Sequence, residues 1–154
     1  MKGKIILSLL LVCALICGCL TINGSASTRE ADIVDMESLP RVAVEPSILK
    51  NADLMPTTRA YGNLNADFDP SSISYVGNSF NLNAGDTITY DCTYTPSNAS
   101  VDYGFFAPDG YFYSFNCTTG SFNKTIRVSQ RGSYTLAIRN NSDSTVTVKG
   151  TVNY

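Results

Sequence analysis

The chain contains no histidine. That removes Ser-His-Asp and Cys-His catalysis, imidazole acid–base work, and His-ligated zinc or copper. Its three glutamates, Glu30, Glu37 and Glu45, all lie early in the chain. Past residue 56 the carboxylates are all aspartates: Asp67, Asp69, Asp86, Asp91, Asp102, Asp109 and Asp143. A glycosidase would need two of them in one cleft. Most sit where aspartate forms turns or solubilises a strand face. No glycine-rich phosphate loop is present. The reading is a non-catalytic protein, with no catalytic residue to assign.

Two cysteines, Cys92 and Cys117, lie outside the N-terminal apolar run; Cys13, Cys17 and Cys19 lie within it. In an exported chain a lone pair suggests one disulfide, Cys92–Cys117, and both fall on the inward parity of their strands. It would close a loop of about 25 residues, worth roughly 3–4 kcal/mol on the chain-entropy reading. The competing reading is two small buried hydrophobes. Asn63, Asn65, Asp67 and Asp69 alternate and would line one face of an extended segment. Hard oxygens suit calcium, with Asp67 and Asp69 as its candidate ligands. The spacing of an EF-hand is absent, and the simpler reading is a solvated face with no cofactor.

The aromatic stretch Tyr103–Phe115 holds seven aromatics in thirteen residues around Pro108-Asp109-Gly110. If Tyr103, Phe105, Tyr111, Tyr113 and Phe115 face a core, Phe106 and Phe112 fall on the opposite face. Exposed together, they would form an apolar patch for a partner or for sugar stacking. The alternative is that both are buried, or pair across the hairpin. Phe106, Phe112 and Tyr111 are the candidate binding residues. The absence of tryptophan argues against a typical sugar platform.

These residues need a scaffold and a compartment. Met1-Lys2-Gly3-Lys4 is basic, Ile5 to Ile16 is apolar apart from Ser8, and small and polar residues follow to Ser27. That order reads as a secretory signal peptide over 1–27. The run is too short to cross a bilayer comfortably, since a spanning helix needs ~20 apolar residues. Gly24 and Ala26, or Ser25 and Ser27, suit a general signal peptidase. Ile16-Cys17-Gly18-Cys19 resembles a lipobox and makes Cys19 the alternative, a lipidated residue. The protein is expected to be secreted or, alternatively, lipid-anchored at the extracellular face. Without Lys2 and Lys4, nine basic residues face thirteen acidic ones, a net charge of −4. Nucleic acid and anionic membrane are poor partners for such a surface.

Residues 28–56 hold all the glutamates, three of the six prolines and no aromatic residue. They read as a flexible spacer with one fragile helical turn before Pro40; the alternative is an arm packed on the domain. From residue 57 the composition inverts to Thr, Ser, Asn, Val and Ile with every Tyr and Phe. Period-two alternation runs through Thr87–Tyr94, Ser133–Arg139 and Thr145–Tyr154. Turn residues separate these runs at Ala84-Gly85-Asp86, Pro96-Ser97-Asn98, Pro108-Asp109-Gly110 and Asn140–Ser144. The expected fold is all-β: an antiparallel β-sandwich of jelly-roll type over 57–154, with about seven to nine strands.

Gly132-Ser-Tyr-Thr-Leu-Ala-Ile-Arg-Asn-Asn-Ser, followed by Val146 to Tyr154, resembles the final hairpin of small exported β-sandwich modules. The Ala84–Ile88 approach and the Pro108-Asp109-Gly110 turn fit that pattern. The bacterial pre-peptidase C-terminal and GOLD-type domains are similar, as are small uncharacterised exported proteins of Firmicutes over residues 78–154. The likeness covers about half the chain and is architectural. It implies a sandwich and carries no catalytic residue. The expected function is an exported, non-catalytic module binding an extracellular protein or glycan. The alternative is a stand-alone carbohydrate-binding or hydrolase-accessory module.

Overall fold

A computed structural model describes residues 32–45, 49–52 and 61–154. The expected export signal, its candidate cleavage positions and Cys19 lie outside the described residues. Alternating residues place eight long strands: β4 (Tyr61–Phe68), β5 (Ser72–Leu82), β6 (Thr87–Thr95), β7 (Val101–Phe106), β8 (Phe112–Cys117), β9 (Ser121–Arg127), β10 (Gly132–Asn140) and β11 (Val146–Asn153). In β6, Ile88, Tyr90, Cys92 and Tyr94 are buried while Asp91, Thr93 and Thr95 face water. In β10, Tyr134, Leu136 and Ile138 point inward, as the alternation predicts.

One sheet runs β9-β6-β11-β4 and the other β8-β7-β10-β5. All neighbours among these eight strands are antiparallel. Only β7 and β8 are consecutive within one sheet; every other step crosses between sheets. Two returning strands, β10 and β11, each insert between earlier ones. This is the double-sheet jelly roll, and its eight strands fall within the expected seven to nine.

Aromatic side chains from both sheets fill the core. Tyr103 of β7 stacks on Phe122 of β9 with ring centroids 4.6 Å apart. The Tyr90 hydroxyl donates across the sandwich to the Gly104 carbonyl at 2.6 Å. The Tyr94 hydroxyl bonds the carbonyls of Ala99 and Cys117 at 3.0 and 2.9 Å. These bonds satisfy polar tips that burial would otherwise penalise.

Three short pieces of the segment with spacer-like composition pair with the sheets. β1 (Ile33–Asp35) pairs parallel with β9, β2 (Arg41–Val42) pairs antiparallel with β8, and β3 (Leu49–Ala52) pairs parallel with β5. Between β1 and β2, Met36–Ser38 form a single 3₁₀ turn just before Pro40. Met36 and Leu39 are buried in the main core, and Met36 sulfur lies 4.0 Å from the Tyr134 hydroxyl. Two apolar side chains seated between the sheets outweigh the polarity of their neighbours, so this part of the segment folds as an arm. No helix among the described residues is long and apolar enough to cross a membrane.

Candidate functional site

The β7–β8 hairpin carries the aromatic cluster. Gly110 takes a φ of 83°, which only glycine adopts cheaply, and its N–H closes the turn on the Ala107 carbonyl at 2.9 Å. Asp109 then organises the tip. One carboxylate oxygen accepts from the Tyr111 N–H at 3.1 Å, the other from the Tyr113 hydroxyl at 2.7 Å. Arg41, delivered by β2, donates to that same hydroxyl at 3.3 Å and lies 5.1 Å over the Tyr111 ring. Burial raises the Tyr113 pKa; Asp109 raises it further and Arg41 opposes.

Tyr111 and Val42 are 39% and 40% exposed, two of the three exposed large hydrophobics among the described residues. Tyr111, one of the candidate binding residues, therefore faces out rather than into the core. Phe106 and Phe112 do not form an exposed pair; the alternative, burial and pairing across the hairpin, is what the fold adopts. Phe112 is fully buried and Phe106 partly buried; their rings pair across the hairpin at 5.3 Å. The cause is the arm. Phe112 joins Ile73 and Ala137 in a second apolar cluster on the outer face, with Val44, Leu49, Tyr75 and Phe106 packed against it. Val44 and Leu49 come from the segment whose composition suggests a spacer.

A half-buried ion pair, with its carboxylate end buried, lies on the same outer face. Asp102 is 3% exposed, on the parity where a strand would meet solvent. It accepts from Arg139 Nε at 2.7 Å and also pairs with Arg139 Nη2. Asn116 Nδ2 donates to its other oxygen at 2.7 Å. The Arg139 guanidinium lies 5.7 Å over the Phe112 ring. These partners satisfy the carboxylate, as a buried charge requires.

The other predicted residues fall elsewhere. Cys92 and Cys117 are both buried but are free thiols, so the expected disulfide is absent. They lie on strands of opposite sheets, and each thiol has its own acceptor. Cys92 reaches the Thr151 carbonyl at 3.7 Å and Cys117 the Ser121 carbonyl at 3.1 Å. Burial, then the Asp91 charge, pushes the Cys92 thiol up to about 12. Burial also pushes Cys117 up, but hydrogen bonds with Thr119, Tyr94 and Ser121 outweigh it and leave the thiol lowered. Asn63, Asn65 and Asp67 do share one exposed face of β4, while Asp69 lies just beyond it. Asp67 accepts from the Thr147 hydroxyl at 2.6 Å, and the Asp69 carbonyl accepts from Ser72 and Asn140. Among the described residues no three acidic, Cys or His groups come together as a metal site.

Arg41 and Val42 are the site residues that sequence reasoning missed. Their signal was the short apolar group Val42-Ala43-Val44, which is too brief to show a period. Asp102 gave no signal, because nothing in its own strand announces that the face above it is covered.

No protein-family profile matches the chain, and no curated protein matches it. A solved structure, that of Aeromonas hydrophila PliG, a periplasmic lysozyme inhibitor of g-type lysozyme, is similar at 15% identity. The alignment covers 68% of this chain and 96% of that one, with a TM-score of 0.49.

Proposed function

We propose that this is an exported, non-catalytic jelly-roll domain that binds a protein at or outside the cell surface through the hairpin end. The contact residues are Tyr111, Arg41 and Val42. The carrying observation is that Tyr111 stays exposed with the Arg41 guanidinium over its ring, while Val42, opposite Phe112 in the ladder, is exposed at the same hairpin. Tyr and Arg are the residues in which protein interfaces concentrate binding energy, and here both are held in place before binding. Asp109, Tyr113 and the β2–β8 pairing do the holding.

Sugar stacking is less well served. It needs an open ring face, and Arg41 already lies over Tyr111, while Phe112 is buried. Release by signal cleavage, or tethering through Cys19, both leave the hairpin end outside the cell.

The test compares wild type with the combined Arg41→Ala, Val42→Ser and Tyr111→Ala variant. Proximity cross-linking on intact host cells should recover one or more surface proteins with wild type. The variant should lose them by at least ~10-fold, since each such anchor typically contributes ~1–2 kcal/mol or more. Equal recovery would exclude the hairpin end. Pelleting with insoluble cell-wall polysaccharide, abolished by the same variant, would favour a glycan instead.

A further inference from the structure

A two-sheet sandwich exposes four edge strands: here β9 and β4 on one sheet, β8 and β5 on the other. The arm covers three of them. β1 lies on β9, β2 on β8 and β3 on β5. Among the described residues β4 has a single ladder neighbour, β11. Its pairing is unbroken from Tyr61↔Asn153 to Phe68↔Val146. β4 is eight residues long, with no Pro, no Lys and no bulge. Its one charged side chain is Asp67; of the usual devices that keep an edge from pairing with another chain it lacks proline, lysine and a bulge.

We infer that two copies of this chain pair antiparallel through β4, joining their five-stranded sheets into one. The sequence of β4 is self-complementary about Asn65. With Asn65 opposite its own counterpart, Leu64 faces Ala66 and Asn63 faces Asp67. The inward parity then meets apolar on apolar, since Leu64 is buried and Ala66 half-buried. The outward parity meets amide on amide and amide on carboxylate. The two Asp67 carboxylates each face an amide rather than one another, so no like charges oppose. A two-fold axis normal to the sheet preserves which face is inward, as a closed symmetric dimer requires. The edge lies on the β4/β5 flank, across the sandwich from β8, so the dimer leaves the hairpin end open.

The experiment uses protein purified as the host processes it, examined by sedimentation equilibrium. Wild type should show a reversible monomer–dimer equilibrium with a Kd of about 1–100 μM, the range of a modest two-strand contact. Asn65→Glu is the discriminating variant. In the monomer the introduced carboxylate lies opposite Lys149 of β11, a favourable cross-strand pair. In the dimer it faces the same carboxylate of the second copy, and the two repel. The variant should keep the melting temperature and weaken dimerisation at least ~10-fold. Asn65→Cys should cross-link the dimer on mild oxidation, because directly opposite residues bring Cβ atoms to ~4.5–5.5 Å. Asn63→Cys should not, as its counterpart is residue 67. A strictly monomeric wild type up to about 1 mM overturns the inference. So does a dimer indifferent to Asn65→Glu, or Asn63→Cys cross-linking as readily as Asn65→Cys.

Discussion

Cys92 and Cys117 show what one residue's parity does and does not reveal. Alternation places both inward, and both are buried. It does not say which partner each thiol meets, because facing the core leaves position along and across the sheets open. The structure gives each its own carbonyl. Reactivity should follow burial and hydrogen bonding. Cys92 is 2% exposed with its thiol held near 12, while Cys117 is 8% exposed with its thiol lowered. At pH 8, iodoacetamide followed by mass mapping is expected to label Cys117 slowly and Cys92 only in denaturant, because thiolate is the reactive form. A Cys92–Cys117 disulfide in the isolated protein would contradict the two-thiol structure. The aromatic residues follow the same logic. Parity puts Phe112 on the outer face, where it lies, but what covers that face is encoded some seventy residues earlier.

The arm is the element that local pattern does not resolve. The turn before Pro40 is legible; the pairing of its flanks with β9 and β8 is not, since two- and three-residue strands show no period. β5 is obscured for a related reason. Its Ser72 and Ser74 point inward while Ile73 and Tyr75 point out, the reverse of an ordinary half-buried strand, because the arm covers the outer face. Two kinds of contact hold the arm. Lys124–Asp32 and Arg127–Asp35 are exposed ion pairs at 2.7 and 3.3 Å, and such pairs contribute little. The buried Met36 contributes far more. Met36→Ala should destabilise the domain by about 2–5 kcal/mol, seen as a clear fall in melting temperature. Asp32→Asn and Asp35→Asn should each leave the melting temperature nearly unchanged. The opposite ranking would mean that charge, not the plug, docks the arm.

At the scale of the whole molecule, the sandwich is legible because its late strands alternate cleanly and its turns are spelled out in Gly, Pro, Asn and Asp. The same core sets a response to alkali. Burial pushes up the pKa of Tyr90, Tyr103 and Cys92, above ordinary values of 10.0 for tyrosine and 9.0 for cysteine. Below the unfolded values, folded and unfolded chains hold the same protons at these sites, so their contribution is intact. Above them the unfolded chain ionises first, and stability is lost as pH climbs toward the folded values. The melting temperature should be flat with respect to these groups from pH 7 to about 9 and fall steeply from about 9 to 12. Differential scanning calorimetry across that window checks it. A flat profile to pH 12 would mean these groups are far less buried than the structure shows.

The position of β11 has a consequence for how the chain comes into being. It lies between β6 and β4 and is the only bridge between them in its sheet. It also follows every other described strand in chain order. As the polypeptide is synthesised, β4 therefore waits without its ladder partner until Val146–Asn153 emerges. One sheet stays in two pieces until nearly all the described chain exists. The strand order thus makes closure of this sheet a late event, set by the last described strand and not by any earlier one.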